Sequence, residues 1–166
     1  MKLRALEPED LFDLYQIEND MEVWQYGNTN APISRYALRQ YISSCRNDIF
    51  EDGQIRFAID HDGVLVGLLD LTNFNPIHRR AEVGIVILPQ FRNQGFGLKA
   101  LNLLIDYAQK IIGLNQIYAI VSEDNSHAQR LFEKSFFINS MLLKAWLISP
   151  NGDTHNAILY QFFLSK

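Results

Sequence analysis

One stretch constrains the fold more than any other part of the chain. Residues 85–100 begin as an apolar, β-branched run, pass through a polar loop and continue as an amphipathic helix. Apolar residues recur in that helix at helical spacing, which predicts one face packed on a sheet. Gly95 and Gly97 therefore lie where a strand passes into a helix.

The loop between this strand and this helix has the properties of an anion site. A helix that begins there directs unpaired N–H groups and the positive end of its dipole toward the loop. The two glycines let a phosphate lie against the backbone, and Arg92 and Lys99 add positive charge nearby. These features predict a cradle for a phosphate or a pyrophosphate.

Two other phosphate-binding loops fit this stretch less well. A P-loop would end in Gly-Lys and a hydroxyl residue, whereas Gly97 is followed by Leu98, Lys99 and Ala100. Residues 95–100 satisfy the dinucleotide pattern G-x-G-x-x-A, but residues 88–94 separate them from the strand. The preceding strands are also predicted to be joined by hairpins. A dinucleotide site is therefore the weaker alternative.

Two motifs in order resemble those of the GNAT family of N-acetyltransferases. Arg92-x-x-Gly95-x-Gly97 resembles the loop with which that family holds the diphosphate of acetyl-coenzyme A (acetyl-CoA). Residues 125–137 resemble the family's later motif, Asn-x-x-Ala-x-x-Leu-Tyr-Glu-Lys-x-Gly-Phe. Two motifs about thirty residues apart are more specific than either alone. The resemblance covers nearly the whole chain.

The resemblance implies a single acetyltransferase domain over residues 1–166, of the α+β class with an α/β three-layer sandwich. Its sheet is expected to be mixed and mostly antiparallel, with about seven strands, about four helices, and a splay between strands 4 and 5. The hydrophobic pattern agrees with this expectation. It predicts hairpin-connected strands up to residue 87 and a strand over residues 116–121 that runs parallel to the last of them.

The resemblance also implies which residues bind acetyl-CoA as the co-substrate. The backbone of Ile85, Val86 and Ile87 is expected to hold the pantetheine arm, with an N–H near Ile87 facing the thioester oxygen. Asn125 could instead only cap its helix. No metal ion is expected. The other expected cofactor-binding residues are Arg92, Asn93, Gln94, Gly95, Phe96, Gly97, Leu98, Asn125, Ala128, Phe132 and Lys134.

Glu82 is the candidate general base. It interrupts an apolar strand three residues before Ile85, near the expected thioester end. A carboxylate is a weak base for an alkyl ammonium, so a relay through ordered water is expected. The alternative is a structural ion pair with Arg79 or Arg80.

Phe132 stands where the later motif usually has a tyrosine thought to protonate the leaving thiolate. Either water supplies that proton or the thiolate leaves unprotonated. We expect direct transfer, because no nucleophile is evident and Cys45 lies on an apolar helix face as a small hydrophobe. The missing hydroxyl leaves open a module that binds acetyl-CoA without catalysis.

The acceptor is expected to be a primary amine. Residues 67–82 and 151–158 are similar to segments of the family's spermidine N-acetyltransferase branch, which implies a polyamine. That branch's acidic pair is missing from the loop over residues 26–31, so Asp70 and Glu82 are expected to supply negative potential. Trp24 and Tyr26 could instead anchor that loop on the core. The alternative acceptor is a protein N-terminus, as in the ribosomal-protein branch. The expected substrate residues are Trp24, Tyr26, Asp70 and Asn73.

Composition limits the partners further. A net charge of −4 argues against nucleic acid as the main partner. No apolar run approaches the ~20 residues of a membrane helix, so no membrane partner is expected. The single cysteine precludes an internal disulfide, which suits the cytoplasm. The resemblance implies a homo-oligomer, either a dimer or a larger assembly.

Overall fold

A seven-stranded mixed sheet forms the centre of the fold. The structure, a computed structural model, describes residues 1–26, 31–149 and 151–164. The strands lie in the order β1-β2-β3-β4-β5-β7-β6, and only β4 and β5 are parallel neighbours. Their bounds are β1 Lys2–Arg4, β2 Ile55–His61, β3 Val64–Asn75, β4 Arg80–Ile87, β5 Gln116–Ser122, β6 Ile138–Ile148 and β7 Thr154–Phe163.

The helices fall into two sizes. Four of them have eight residues or more, as the sequence predicts, and two are single turns. In the described ranges, no helix is both long and apolar enough to cross a bilayer. The helices are α1 Leu11–Glu18, α2 Met21–Trp24, α3 Arg35–Ser44, α4 Ile49–Asp52, α5 Phe96–Tyr107 and α6 Ser126–Lys134.

Side-chain alternation along the strands produces two cores, one on each face of the sheet. On one face, Phe57 and Ile59 of β2 join buried residues of α5 such as Leu101 and Leu104. On the other face, Ala58 joins Leu14 of α1 and Leu38 of α3, among others. The predicted three-layer arrangement is confirmed, with α1 and α3 above the sheet and α5 and α6 below it.

Local sequence signals explain where the main helices begin and end. The Ser34 hydroxyl caps α3 by accepting from the Ala37 N–H at 3.1 Å. A 3-10 turn with Pro8 at its first position leads into α1. Helix α5 continues as a π-helical turn over Ala108–Ile112 and stops at Gly113, whose φ of +73° lies in the left-handed region.

The sheet splits between β4 and β5, as expected for the family. The two strands share only three rungs, which pair Arg80 with Gln116, Ala81 with Ile117, and Glu82 with Tyr118. Beyond Glu82, β4 stays paired with β3 up to Ile87, and β5 stays paired with β7. A wedge-shaped opening therefore starts at Glu82 and widens toward the end of β4.

Phe136, just after α6, has a left-handed backbone with a φ of +64°. The later motif, which residues 125–137 resemble, has glycine at this position. The phenylalanine ring is 84% exposed, so its burial contributes little free energy to offset the strained backbone.

We expect Phe136→Gly to stabilise the protein. Relief of the left-handed strain should exceed the added chain entropy of glycine and raise the free energy of unfolding by about 0.5–1 kcal/mol. Urea denaturation measures this change. The control is Ser135→Gly, because Ser135 has a negative φ, is buried, and donates its hydroxyl to the Leu131 carbonyl at 2.9 Å. Ser135→Gly should destabilise, and a loss of stability in Phe136→Gly would contradict the interpretation.

Candidate active site

The open edge of β4 presents backbone groups to the wedge. The Leu88 N–H donates to the Val66 carbonyl on the β3 side at 3.0 Å. Because successive N–H groups of a strand point to opposite edges, those of Ile87 and Ile85 point away from β3 into the opening. Both side chains are half-buried. Their N–H groups therefore face the opening, where a ligand can accept hydrogen bonds from them.

Val86 departs from that prediction. It is paired with Leu68 of β3, and its carbonyl oxygen lies so close to Gly67 that a side chain there would meet it at 2.2 Å. The backbone of Val86 thus belongs to the β3 ladder and cannot also bind a pantetheine arm. The register of β4 on β3 decides which backbone groups point to β3 and which point to the opening, and the sequence does not reveal that register.

The loop after β4 has the backbone geometry expected of an anion cradle. Asn93 and Gly95 have left-handed backbones, with φ of +60° and +80°. The first helical bond of α5 runs from the Lys99 N–H to the Gly95 carbonyl at 3.2 Å. The N–H groups of Phe96, Gly97 and Leu98 therefore precede the helical ladder and have no hydrogen-bond partner within the described ranges. This concave set of donors suits a pyrophosphate.

The polar side chains of this loop fold back on it. Arg92 donates through Nε to the Ile87 carbonyl at 3.1 Å and lies 3.6 Å from Glu22 of α2. Gln94 donates to the Gln90 carbonyl at 2.9 Å. The guanidinium thus stays beside the end of β4, where it adds positive charge to the cradle.

Gly97 lets α6 pack against the start of α5. A side chain at this position would lie 3.2 Å from Leu131 of α6 and 3.7 Å from Ile87. Lys134 follows Leu131 by three residues, so it lies on the same side of α6 and faces the region of the cradle. Lys134 is exposed, and Ala128 is half-buried against the core.

Asn125 and Phe132 have structural roles in α6. The Asn125 side chain accepts from the Ala128 N–H at 3.0 Å and so caps the helix. Phe132 is only 3% exposed and packs between Phe137 and Tyr160, with centroids 5.0 and 6.0 Å away. The expected cofactor contact of Phe132 is therefore limited to the small exposed part of its ring.

A row of polar side chains crosses the face of the sheet that carries α1 and α3. The register places Arg56 beside Asp70, Asp70 beside Gly84, Thr72 beside Glu82, and Glu82 beside Tyr118. Residues paired in a sheet project to the same face, as do residues two apart in one strand. We call this set, Arg56, Asp70, Thr72, Glu82 and Tyr118, the polar row.

Arg56 joins two carboxylates at one end of the row. Its guanidinium lies 2.6 Å from Glu18 of α1 and binds both oxygens of Asp70 at 2.8 Å. Burial lowers the pKa of Arg56, but hydrogen bonds and charges from Asp70 and Glu18 outweigh it, so the pKa is raised overall. Asp70 is thus held in an ion pair, and Glu18 adds a negative charge.

Glu82 lies at the point of the wedge between neutral side chains. The Asn73 amide donates to Glu82 Oε2 at 2.8 Å, and Tyr118 lies beside Glu82 on the last parallel rung, where burial and then the nearby carboxylate raise the pKa of the phenol. Among the described residues, no ion pair joins Glu82 to Arg79 or Arg80. Asn73, expected as a substrate residue, instead contacts the candidate base.

Two other expected substrate residues lie on α2 and just after it. The Trp24 indole donates to the Glu18 carbonyl at 2.6 Å, which anchors the chain on α1. Tyr26 is 44% exposed. The loop sequence from 27 to 30, where the acidic pair was sought, lies outside the described residues. Cys45 is half-buried, with its thiol 3.1 Å from the Asn47 amide oxygen.

Sequence reasoning missed three residues of this site: Glu18, Arg56 and Tyr118. Each gains its role from a contact with a residue distant in the chain. The only sequence signal for any of them was Arg56, a charged residue between apolar neighbours in β2. In the described ranges, no cluster of His, Cys, Asp and Glu could hold a metal ion.

Comparison with known proteins agrees with this geometry. The model of the Acetyltransferase (GNAT) domain matches residues 1–137. Spermidine N(1)-acetyltransferase of Escherichia coli K12 is 31% identical over 159 residues, which cover 95% of this chain and 83% of that protein. The putative ribosomal N-acetyltransferase YdaF of Bacillus subtilis is 25% identical and covers 95% of this chain and 88% of its own length.

A solved structure is similar over almost the full length. Spermidine N-acetyltransferase from Vibrio cholerae, in complex with CoA and spermine, superposes with a TM-score of 0.86 at 29% identity. The match covers 99% of this chain and 96% of that one. With its splayed sheet, its glycine loop and these relatives, the chain belongs to the GNAT family of acetyltransferases.

Proposed function

We propose that this protein transfers an acetyl group from acetyl-CoA directly to a primary amine, namely that of a polyamine such as spermidine. The observation that carries the proposal is the continuity of three features. An anion cradle leads into an open strand edge, and that edge ends at a carboxylate, Glu82, held at the point of the wedge.

Acetyl-CoA fits the cradle and the open edge. The pyrophosphate would be bound by the N–H groups around Gly95, with Arg92 and Lys134 nearby. The pantetheine arm would bind the outward N–H and carbonyl groups of Ile85 as an added strand. The Vibrio cholerae relative, whose structure contains CoA, supports this assignment.

A cationic acceptor fits the charge of the other side of the sheet. Glu18, Asp70 and Glu82 carry three negative charges, and Arg56 offsets only one of them. A low-dielectric site with excess negative charge attracts an ammonium group. The spermidine acetyltransferase relatives, one of them solved with spermine, support a polyamine as that ammonium.

The reaction follows from these positions. Glu82, through an ordered water, takes a proton from the ammonium, and the free amine attacks the thioester carbonyl carbon. The new C–N bond forms as the C–S bond breaks, and an N–H of Ile87 or Ile85 stabilises the charge on the oxygen. The attacking nitrogen loses its second proton as the C–S bond breaks, and water relays that proton to the departing thiolate, because Phe132 has no proton to donate.

A protein N-terminus is the second candidate acceptor, favoured by the similarity to the putative ribosomal N-acetyltransferase of Bacillus subtilis. A module that binds acetyl-CoA without catalysis is the third, favoured by the buried Phe132. We further propose that the protein works in the cytoplasm, which its single cysteine supports.

We also propose a homo-oligomer that pairs through β6. This edge strand has a free side along eleven residues, and its apolar side chains Met141, Trp146 and Ile148 are 55–74% exposed. Unprotected edges of this length favour pairing with another strand, and Lys144 is the strand's only charge. Antiparallel pairing of two copies across a two-fold axis would cover both edges.

Replacement of Gly95 should weaken acetyl-CoA binding. In Gly95→Ala the added Cβ opposes the left-handed backbone and redirects the loop N–H groups, so the dissociation constant should rise at least about tenfold. Titration calorimetry measures it. Gly113→Ala is the matched control, because Gly113 has a similar φ of +73° at the far end of the helix and open space around it. Equal affinities of both variants would contradict the cradle.

A thiol-release screen tests the reaction and its acceptor. With acetyl-CoA and polyamines, amino acids or peptides, we expect turnover on polyamines and a loss of about 10²–10⁴-fold in kcat for Glu82→Gln. Glu51→Gln, an exposed surface change, should leave kcat unchanged. Turnover on peptides alone would favour the N-terminal acceptor, and tight binding of acetyl-CoA without any turnover would favour the binding module.

Light scattering tests the assembly. The wild type should have the mass of a dimer or a larger oligomer, and Met141→Lys combined with Trp146→Lys should reduce it to a monomer. Phe12→Lys is the control, because Phe12 is 60% exposed on α1, away from β6. A monomeric wild type, or an unchanged mass for the double variant, would rule out assembly through β6.

A further inference from the structure

We propose that Asn73 and Tyr118 are positioning residues that together fix the Glu82 carboxylate at the point of the wedge. The inference rests on the proposed function, in which Glu82 is the base, and assigns residues that act through it. Asn73 comes from β3 and Tyr118 from β5, so the carboxylate is held from both neighbouring strands.

Asn73 reaches Glu82 because β3 is irregular at this point. Thr72 is the register partner of Glu82, and in a regular strand Asn73 would project to the opposite face. The register shifts between Thr72 and Asn75, and Asn73 itself has a φ of +50°. This bulge turns the side-chain amide of Asn73 toward the face of the sheet that carries Glu82, and Asn73 Nδ2 lies 2.8 Å from Glu82 Oε2.

The bulge has no evident purpose in packing. Asn73 is exposed, and its side chain makes no other hydrogen bond in the part of the chain that the structure describes. A left-handed backbone is uncommon outside glycine, although asparagine tolerates it better than most residues. The gain from the strained conformation is therefore the bond to Glu82, a pattern typical of functional sites.

Tyr118 holds Glu82 from the opposite strand. The two residues form the last parallel rung before the sheet splits, so their side chains project side by side on one face. Burial raises the pKa of the Tyr118 hydroxyl, the charge of Glu82 raises it further, and Arg80 acts in the opposite direction. The hydroxyl therefore stays protonated at neutral pH and can donate.

Neutral donors suit a base better than a cation would. Arg56 fixes Asp70 firmly but cancels its charge. An amide and a phenol restrict the Glu82 carboxylate without removing its charge, and they leave oxygen lone pairs for the water that carries the proton. Loss of either donor should therefore slow the chemical step more than it weakens substrate binding.

Variants of Asn73 separate positioning from folding. Asn73→Gly removes the amide but accepts the left-handed backbone, so it should fold normally while kcat falls about tenfold and the KM for acetyl-CoA stays unchanged. Asn73→Asp keeps the shape but places a second negative charge beside Glu82, so kcat should fall further. Asn47→Gly is the matched control, because Asn47 is also an asparagine with a left-handed backbone, with a φ of +53°, but lies in the loop between α3 and α4 outside the polar row, and this variant should keep the wild-type kcat.

Tyr118→Phe should lower kcat by a similar factor. A titration of ¹³C-labelled tyrosines by NMR tests the contact without turnover. Glu82→Gln should lower the pKa of Tyr118 and leave that of Tyr160 unchanged, because burial and Glu133 raise the latter to about 12. Wild-type kcat in both Asn73→Gly and Tyr118→Phe, or a rise in the amine KM alone, would overturn the proposal. A wild type that acetylates no amine would instead overturn the proposed function, and the titration would still report on the contact.

Discussion

The structure depends on the early end of the pairing between β4 and β5. Three rungs join the strands, and after the last one, between Glu82 and Tyr118, β4 has no strand partner on that side among the described residues. Unpaired backbone groups inside a protein are costly unless something satisfies them. In the proposed function, the pantetheine arm of acetyl-CoA satisfies these groups as an added strand.

Two carboxylates close to each other on the polar row are held in different ways. Asp70 is bound by a buried guanidinium, which fixes its position and neutralises it. Glu82 is bound by a neutral amide and lies beside a phenol, neither of which cancels its charge. The same residue class thus serves structure in one strand and, in the proposed reaction, chemistry in the next. The difference lies in the partner rather than in the acid.

The parts of the fold that follow from local patterns could be predicted. Periodicity gave the strands and the long helices, and the spacing of Gly95 and Gly97 located the cradle. The rest depends on register and on contacts between distant residues. Val86 was assigned to the cofactor because the sequence does not reveal which residues of β4 direct their backbone groups toward β3. Arg56 and Tyr118 were missed because their partners come from other strands.

The contact between Gly97 and Leu131 has a mechanical consequence. The two halves of the sheet share three rungs at one end of the wedge, and α6, which follows β5, touches the first turn of α5 near the other end. The wedge is thus held at both ends by contacts within the protein itself. Its width is preorganised, so little binding energy is spent on shaping it.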